Sequence, residues 1–171
     1  MLCEYVLLSL SAIIFFVFVY LGVKKFGLLS CYSAYASKWA PPYASQLNPW
    51  QIVTAVSAFL LMPVLIQQSI NNPWQFFGFL APVGIGMVAA SPEYATDKFQ
   101  NVIHQIGAWS TVLFIILYTA FIQPKMLWII GILLVLSVVM WPWKKNWMFW
   151  GEMAMYVATY IILFLMVGGV R

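Results

Sequence analysis

The chain has 171 residues, of which 64% are hydrophobic and 7% charged, with a net charge of +4. A soluble domain carries about 25% charged residues, so this composition excludes a water-surrounded globular protein, a disordered tail and a secreted disulfide scaffold. A bilayer-embedded protein remains.

Apolar runs of roughly twenty residues span a bilayer as helices. They predict an all-α bundle, one transmembrane domain of six helices over about 5–23, 50–69, 74–91, 103–122, 126–142 and 147–169. The first run holds no charge, and Glu4 is the only charge before it, so it reads as an uncleaved helix. Leu28–Leu29–Ser30–Cys31 looks like a lipoprotein cleavage box, but Lys24 and Lys25 lie between it and the apolar run, which is the wrong order. The stretch 24–47 is the one long connection. It is partly apolar, so it is expected to lie at the interface or fold back onto the bundle.

Asn48–Pro49–Trp50–Gln51 opens the second helix and recurs as Asn72–Pro73–Trp74–Gln75 before the third. Asn suits a cap, Pro the first turn and Trp the headgroup level. The third helix carries Gly78, Pro82, Gly86 and Ala90 at four-residue spacing. That stripe predicts either close helix packing or a groove for a lipid tail. Glu93 and Asp97 follow in the next connection. His104, the only histidine, opens the fourth helix on a small-residue face with Gly107 and Ala108. Pro-containing turns at 123–125 and 141–147 make the later helices antiparallel neighbours.

Glu152 lies inside the sixth helix, in line with Tyr156, Thr159 and Tyr160. A carboxylate within a membrane helix needs a partner. Lys144, Lys145, Tyr156, a ligand headgroup and His104 are the candidates; pairing with His104 would be direct or through one water. Two readings stay open: a substrate, ion or proton site, or a hydrogen bond that locks two helices.

One His without recurring Cys or His at ligand spacing predicts no metal site and no obligatory cofactor. The two cysteines, Cys3 and Cys31, are too few for a thiolate site. No basic run exceeds two residues, so no nucleic acid is expected as a partner. Nucleophile elbow, Walker loop and HExxH motifs are all missing from the sequence. Lys24, Lys25, Lys38, Lys98, Lys144 and Lys145 fall on one side of a six-span topology, against Lys125 and Arg171 on the other. The positive-inside rule then puts both termini outside the cytoplasm.

Gly86–Met87–Val88–Ala89–Ala90–Ser91–Pro92–Glu93, with Val102–Ile103–His104–Gln105–Ile106–Gly107–Ala108 after it, resembles the DRAM/Frag/Sfk-like group of six-span membrane proteins. There a His-x-x-Gly-Ala motif opens the fourth helix, and Tyr118 falls where the group often has a tyrosine. Small bacterial proteins look similar to this version. Where the group has an Ile-Ser element in its first loop, this chain has Ser30–Cys31–Tyr32–Ser33. The group's termini are cytoplasmic, the reverse of the basic-residue count. The resemblance implies lipid handling, trafficking or scaffolding, and it carries no catalytic residue over.

The leading expectation is therefore a non-enzymatic protein of a bacterial inner membrane that binds lipid or a partner membrane protein, with a homo-oligomer as one form. A small transporter or channel subunit using Glu152 and His104 comes second, and an intramembrane lipid-modifying enzyme third.

Overall fold

A computed structural model describes residues 2–39, 48–139 and 146–169. Among them are seven α-helices: α1 (Leu2–Phe26), α2 (Tyr35–Lys38), α3 (Pro49–Gln68), α4 (Phe76–Ala89), α5 (Lys98–Ile122), α6 (Leu127–Val139) and α7 (Trp147–Val167). Four of them, α1, α3, α5 and α7, are long and apolar enough to cross a membrane. The apolar stretches Phe76–Ala89 and Pro124–Val139 are shorter.

Local chemistry sets the ends. Asn48 Oδ1 accepts from the Trp50 amide at 2.9 Å, and Gln51 Oε1 accepts from the Asn48 amide at 3.3 Å. This is a complete capping box, with Pro49 at the first helical position. The second copy works differently. Asn72 accepts from the Trp74 amide at 2.9 Å, yet α4 starts only at Phe76. Asp97 caps α5 by accepting from the Gln100 amide at 2.8 Å, which starts that helix at Lys98 rather than near 103. Gly27, with φ of 76°, turns the chain at the end of α1.

Helix directions follow from contacts near the ends. Gln68 donates to Glu4 at 2.6 Å, which makes α3 antiparallel to α1. Ser11 meets Tyr160 at 2.8 Å, and the Tyr5 hydroxyl lies against Gly168, which makes α7 antiparallel to α1 as well. The start of α1 and the end of α7 therefore share one face of the bundle. Trp74 stacks on Phe121 with centroids 4.5 Å apart at that face. Gln51 donates to the Ala89 carbonyl at 3.1 Å at the opposite face. Thus α4 runs between the same two faces as its longer neighbours.

Much of the outer surface is as apolar as the core. Leu2, Val6, Ile13 and Val17 on α1, and Trp128, Ile132, Val135 and Val138 on α6, are exposed. Lipid satisfies such surfaces, so the burial pattern sorts helix faces by packing rather than by polarity. The stretch 24–47 is expected at the interface or folded back. Its described part extends α1 to Phe26 and then folds back, burying Cys31, Tyr32, Tyr35 and Ala36. Residues 40–47, 140–145 and 170–171 lie outside the described residues, including Lys144, Lys145 and Arg171.

Candidate functional site

The returning segment Leu28–Tyr32 is pinned along the start of α7 by three hydrogen bonds. Asn146 Nδ2 donates to the Leu28 carbonyl at 2.9 Å, and the Phe149 amide donates to the Ser30 carbonyl at 3.0 Å. The Tyr32 amide then donates to Glu152 Oε2 at 2.5 Å. The Phe149 amide belongs to the first helical turn, where backbone donors lack intrahelical acceptors. Glu152 thus holds a loop against a helix. Among the described residues its Oε1 has no hydrogen-bond partner, and no cation pairs with it.

His104 is buried and fixes the α4–α5 connection. Its ring stacks on Tyr94 with centroids 4.0 Å apart, and Nδ1 lies 3.4 Å from Ser91 Oγ. That hydroxyl spends its one proton on the carbonyls of Met87 and Val88. It must therefore accept from Nδ1–H, which leaves a lone pair on Nε2 of the neutral ring. The Tyr94 hydroxyl reaches Cys31 Sγ at 3.8 Å. Burial pushes its pKa up to about 12, partly offset by a hydrogen bond with Ser33. The Tyr32 hydroxyl, raised further by burial, meets Thr54 at 2.9 Å. Both phenols stay neutral near pH 7.

Glu152 and His104 do not hydrogen-bond to each other directly. They line one cavity of about 90 Å³ in the bundle core. Tyr32 and Ser33 close its polar end. Leu61 and Leu65 of α3, Ala81 and Ile85 of α4, and Val112 and Ile115 of α5 form apolar walls. Tyr156, one turn beyond Glu152, also lines it, and its hydroxyl has no hydrogen-bond partner among the described residues. From His104 to Ile115 the wall follows about 16 Å of helix.

The small-residue stripe divides between two roles. A Cβ on Gly78 would stand 3.0 Å from the Tyr118 ring and 3.2 Å from the Leu65 backbone. Tyr118 itself donates to the Leu65 carbonyl at 2.9 Å. Gly86 faces open space instead. With Pro82, Val83 and Ala90 it lines an open apolar groove of about 430 Å³, opposite Ala55, Ala58 and Phe59 of α3. Gly107 packs on the backbone of Gly84, which lies off the stripe and was not singled out from the sequence.

Asp97 is a helix cap, and Glu93 is exposed at the turn, where its backbone holds Thr96 and Gln100. No group of three or more His, Cys, Asp or Glu that could hold a metal exists among the described residues. Sequence reasoning missed Tyr32, Ser91 and Tyr94 as the groups that hold Glu152 and His104. The one available signal was the cluster Ser30–Cys31–Tyr32–Ser33 within a mostly apolar chain. Comparison with protein-family models, curated proteins and solved structures finds no match to this chain.

Proposed function

We propose that the chain is a six-span, non-enzymatic protein of a bacterial inner membrane that seats a lipid chain in the groove between α3 and α4. The groove itself carries the reading: about 430 Å³ of apolar space open on its outer side, floored by small residues and lined by Pro82 of α4. A bilayer leaves no such space empty, and an acyl chain fits its chemistry. The likeness to the DRAM/Frag/Sfk-like group points the same way. Six crossings are supported by the face-to-face run of α4, and by Leu133 and Leu136 of α6 reaching Trp150 and Met153 near the start of α7. At 14 residues α4 is only about 21 Å long. Its flanking turns supply the remaining depth.

Native mass spectrometry of the detergent-purified chain tests this. The parent should retain phospholipid, whereas Gly86→Leu with Ala58→Phe should fill the groove and lose it. Equal retention would refute lipid binding there.

A second reading, a small transporter or channel subunit, is favoured by one observation: Glu152 and His104 share a cavity. Proteoliposomes loaded with a pH-sensitive dye should then show proton flux that Glu152→Gln removes. Absence of flux from the parent protein would eliminate it.

A further inference from the structure

We propose that the core cavity is a binding site for a primary ammonium group carried on a short aliphatic chain. At the polar end, Glu152 uses one carboxylate oxygen on the Tyr32 amide and keeps the other without a hydrogen-bond partner among the described residues. His104, its Nδ1 proton committed to Ser91, offers the Nε2 lone pair. Ser33 donates to Cys31 Sγ at 3.4 Å and, with Tyr94 also hydrogen-bonded to it, keeps one oxygen lone pair. Tyr156 adds a hydroxyl without a hydrogen-bond partner among the described residues. All four residues line the cavity, and among the described residues no Lys or Arg does.

Glu152, without a cation among the described residues, thus shares one cavity with acceptors on His104, Ser33 and Tyr156. A primary ammonium has three N–H donors and one positive charge, so it satisfies both deficits together. A charge-assisted hydrogen bond to a carboxylate is stronger than a neutral one. Other occupants fit less well. A monovalent metal ion needs a shell of oxygens that the apolar walls do not supply. A phosphate-bearing head would bring a second charge with no cation among the described lining residues to meet it. Water can hydrogen-bond to Glu152 but brings no positive charge.

Size narrows the chain. An apolar cavity of about 150 Å³ holds a benzene ring. The cavity of about 90 Å³ therefore holds roughly four non-hydrogen atoms. An amine of three or four carbons places its ammonium at Glu152 and its methylenes against Ile85 and Val112. The same chemistry can reach the site as a free alkylamine or as the amino terminus of a membrane phospholipid such as phosphatidylethanolamine. The phosphate argument favours the free amine.

The test uses the full chain in phosphatidylcholine nanodiscs, titrated calorimetrically with butylamine, 1-butanol and butyltrimethylammonium at constant ionic strength. Butylamine should bind saturably, at least about tenfold more tightly than either analogue. Octylamine should bind more weakly than butylamine. Replacing phosphatidylcholine by phosphatidylethanolamine should leave the butylamine affinity unchanged; competition by that lipid would assign the site to its headgroup and overturn the free amine. Glu152→Gln keeps an acceptor for the Tyr32 amide, so the fold should persist while the preference for the amine over the alcohol disappears. Ala108→Phe should fill the cavity and remove binding of both. Equal affinity for butylamine and its quaternary analogue, or an unchanged preference in Glu152→Gln, would overturn the proposal. So would absence of butylamine binding to the parent protein. Lipid retention in the α3–α4 groove is read separately, so either proposal can fail alone.

Discussion

The Tyr32 amide and the Glu152 carboxylate join two points of the chain that are 120 residues apart. Through this bond a membrane helix holds down the loop that closes the core cavity. Glu152→Leu would leave the buried Tyr32 N–H without an acceptor, at a cost of about 1–3 kcal/mol. Glu152→Gln retains an acceptor and should lie much closer to the parent. Thermal unfolding in one detergent compares them, and equal losses would show that charge, not the hydrogen bond, holds the loop.

Gly84 and Gly107 set how near α4 and α5 approach. A Cβ on Gly107 would stand 2.6 Å from the Gly84 carbonyl oxygen and 2.8 Å from Met87 Cβ. Gly107→Ala should therefore destabilise by about 1–3 kcal/mol. Gly86→Ala, with nothing within 4 Å, should be neutral or slightly stabilising because alanine favours the helix. The two melting temperatures check this. A larger loss at Gly86 would reverse the assignment of packing and groove.

The Tyr94–His104 stack separates ring packing from hydroxyl chemistry. Tyr94→Phe keeps the stack and should cost little. Tyr94→Leu removes the aromatic contribution of about 0.5–1.5 kcal/mol beyond its area. Unfolding measurements on both variants decide between them, since a Phe variant as damaged as the Leu variant would make the Cys31 contact the stabilising one.

Topology yields a direct experiment. Ser37 is exposed beside Lys38 at the face where α1 ends. On the positive-inside count, Ser37→Cys should react only with permeant reagents in intact cells, while a tag at Arg171 is reached from outside. Impermeant labelling of Ser37→Cys would invert the orientation.

Asn48 offers a capping test. Its side chain serves the α3 capping box and donates to the Ala36 carbonyl at 2.6 Å. Asn48→Ala should cost about 0.5–2 kcal/mol and expose the α2 segment to proteolysis. Unchanged cleavage would confine its role to α3.

Helix class and approximate boundaries could be read from the sequence because long uncharged runs have one solution in lipid. The capping grammar was informative but not decisive. Gln51 returns to Asn48, whereas Trp74 stacks with Phe77 and Phe121 in a turn before α4 begins. Glu152 and His104 stood out as polar groups in apolar helices. Their partners did not. One partner is a backbone amide, which every residue but proline carries, and the other is a serine whose donor is spent within its own helix end. Neither leaves a signature in residue type or spacing. The division of the small-residue stripe was equally hidden, because spacing along one helix says nothing about which neighbour approaches it.

The contact between Ser11 and Tyr160 has a consequence for biosynthesis. Ser11 leaves the ribosome early, yet its hydroxyl partner is translated 149 residues later. Phe15 likewise waits for Tyr156, whose ring centroid lies 4.1 Å away in the finished fold. Until α7 is inserted, the inner face of α1 must be sheltered by α3, to which Ser11 also donates through the Ser57 carbonyl at 2.9 Å. A nascent chain stalled before α7 should therefore hold α1 and α3 as a pair with one side still open to lipid. Completion of the bundle is an event of the last helix.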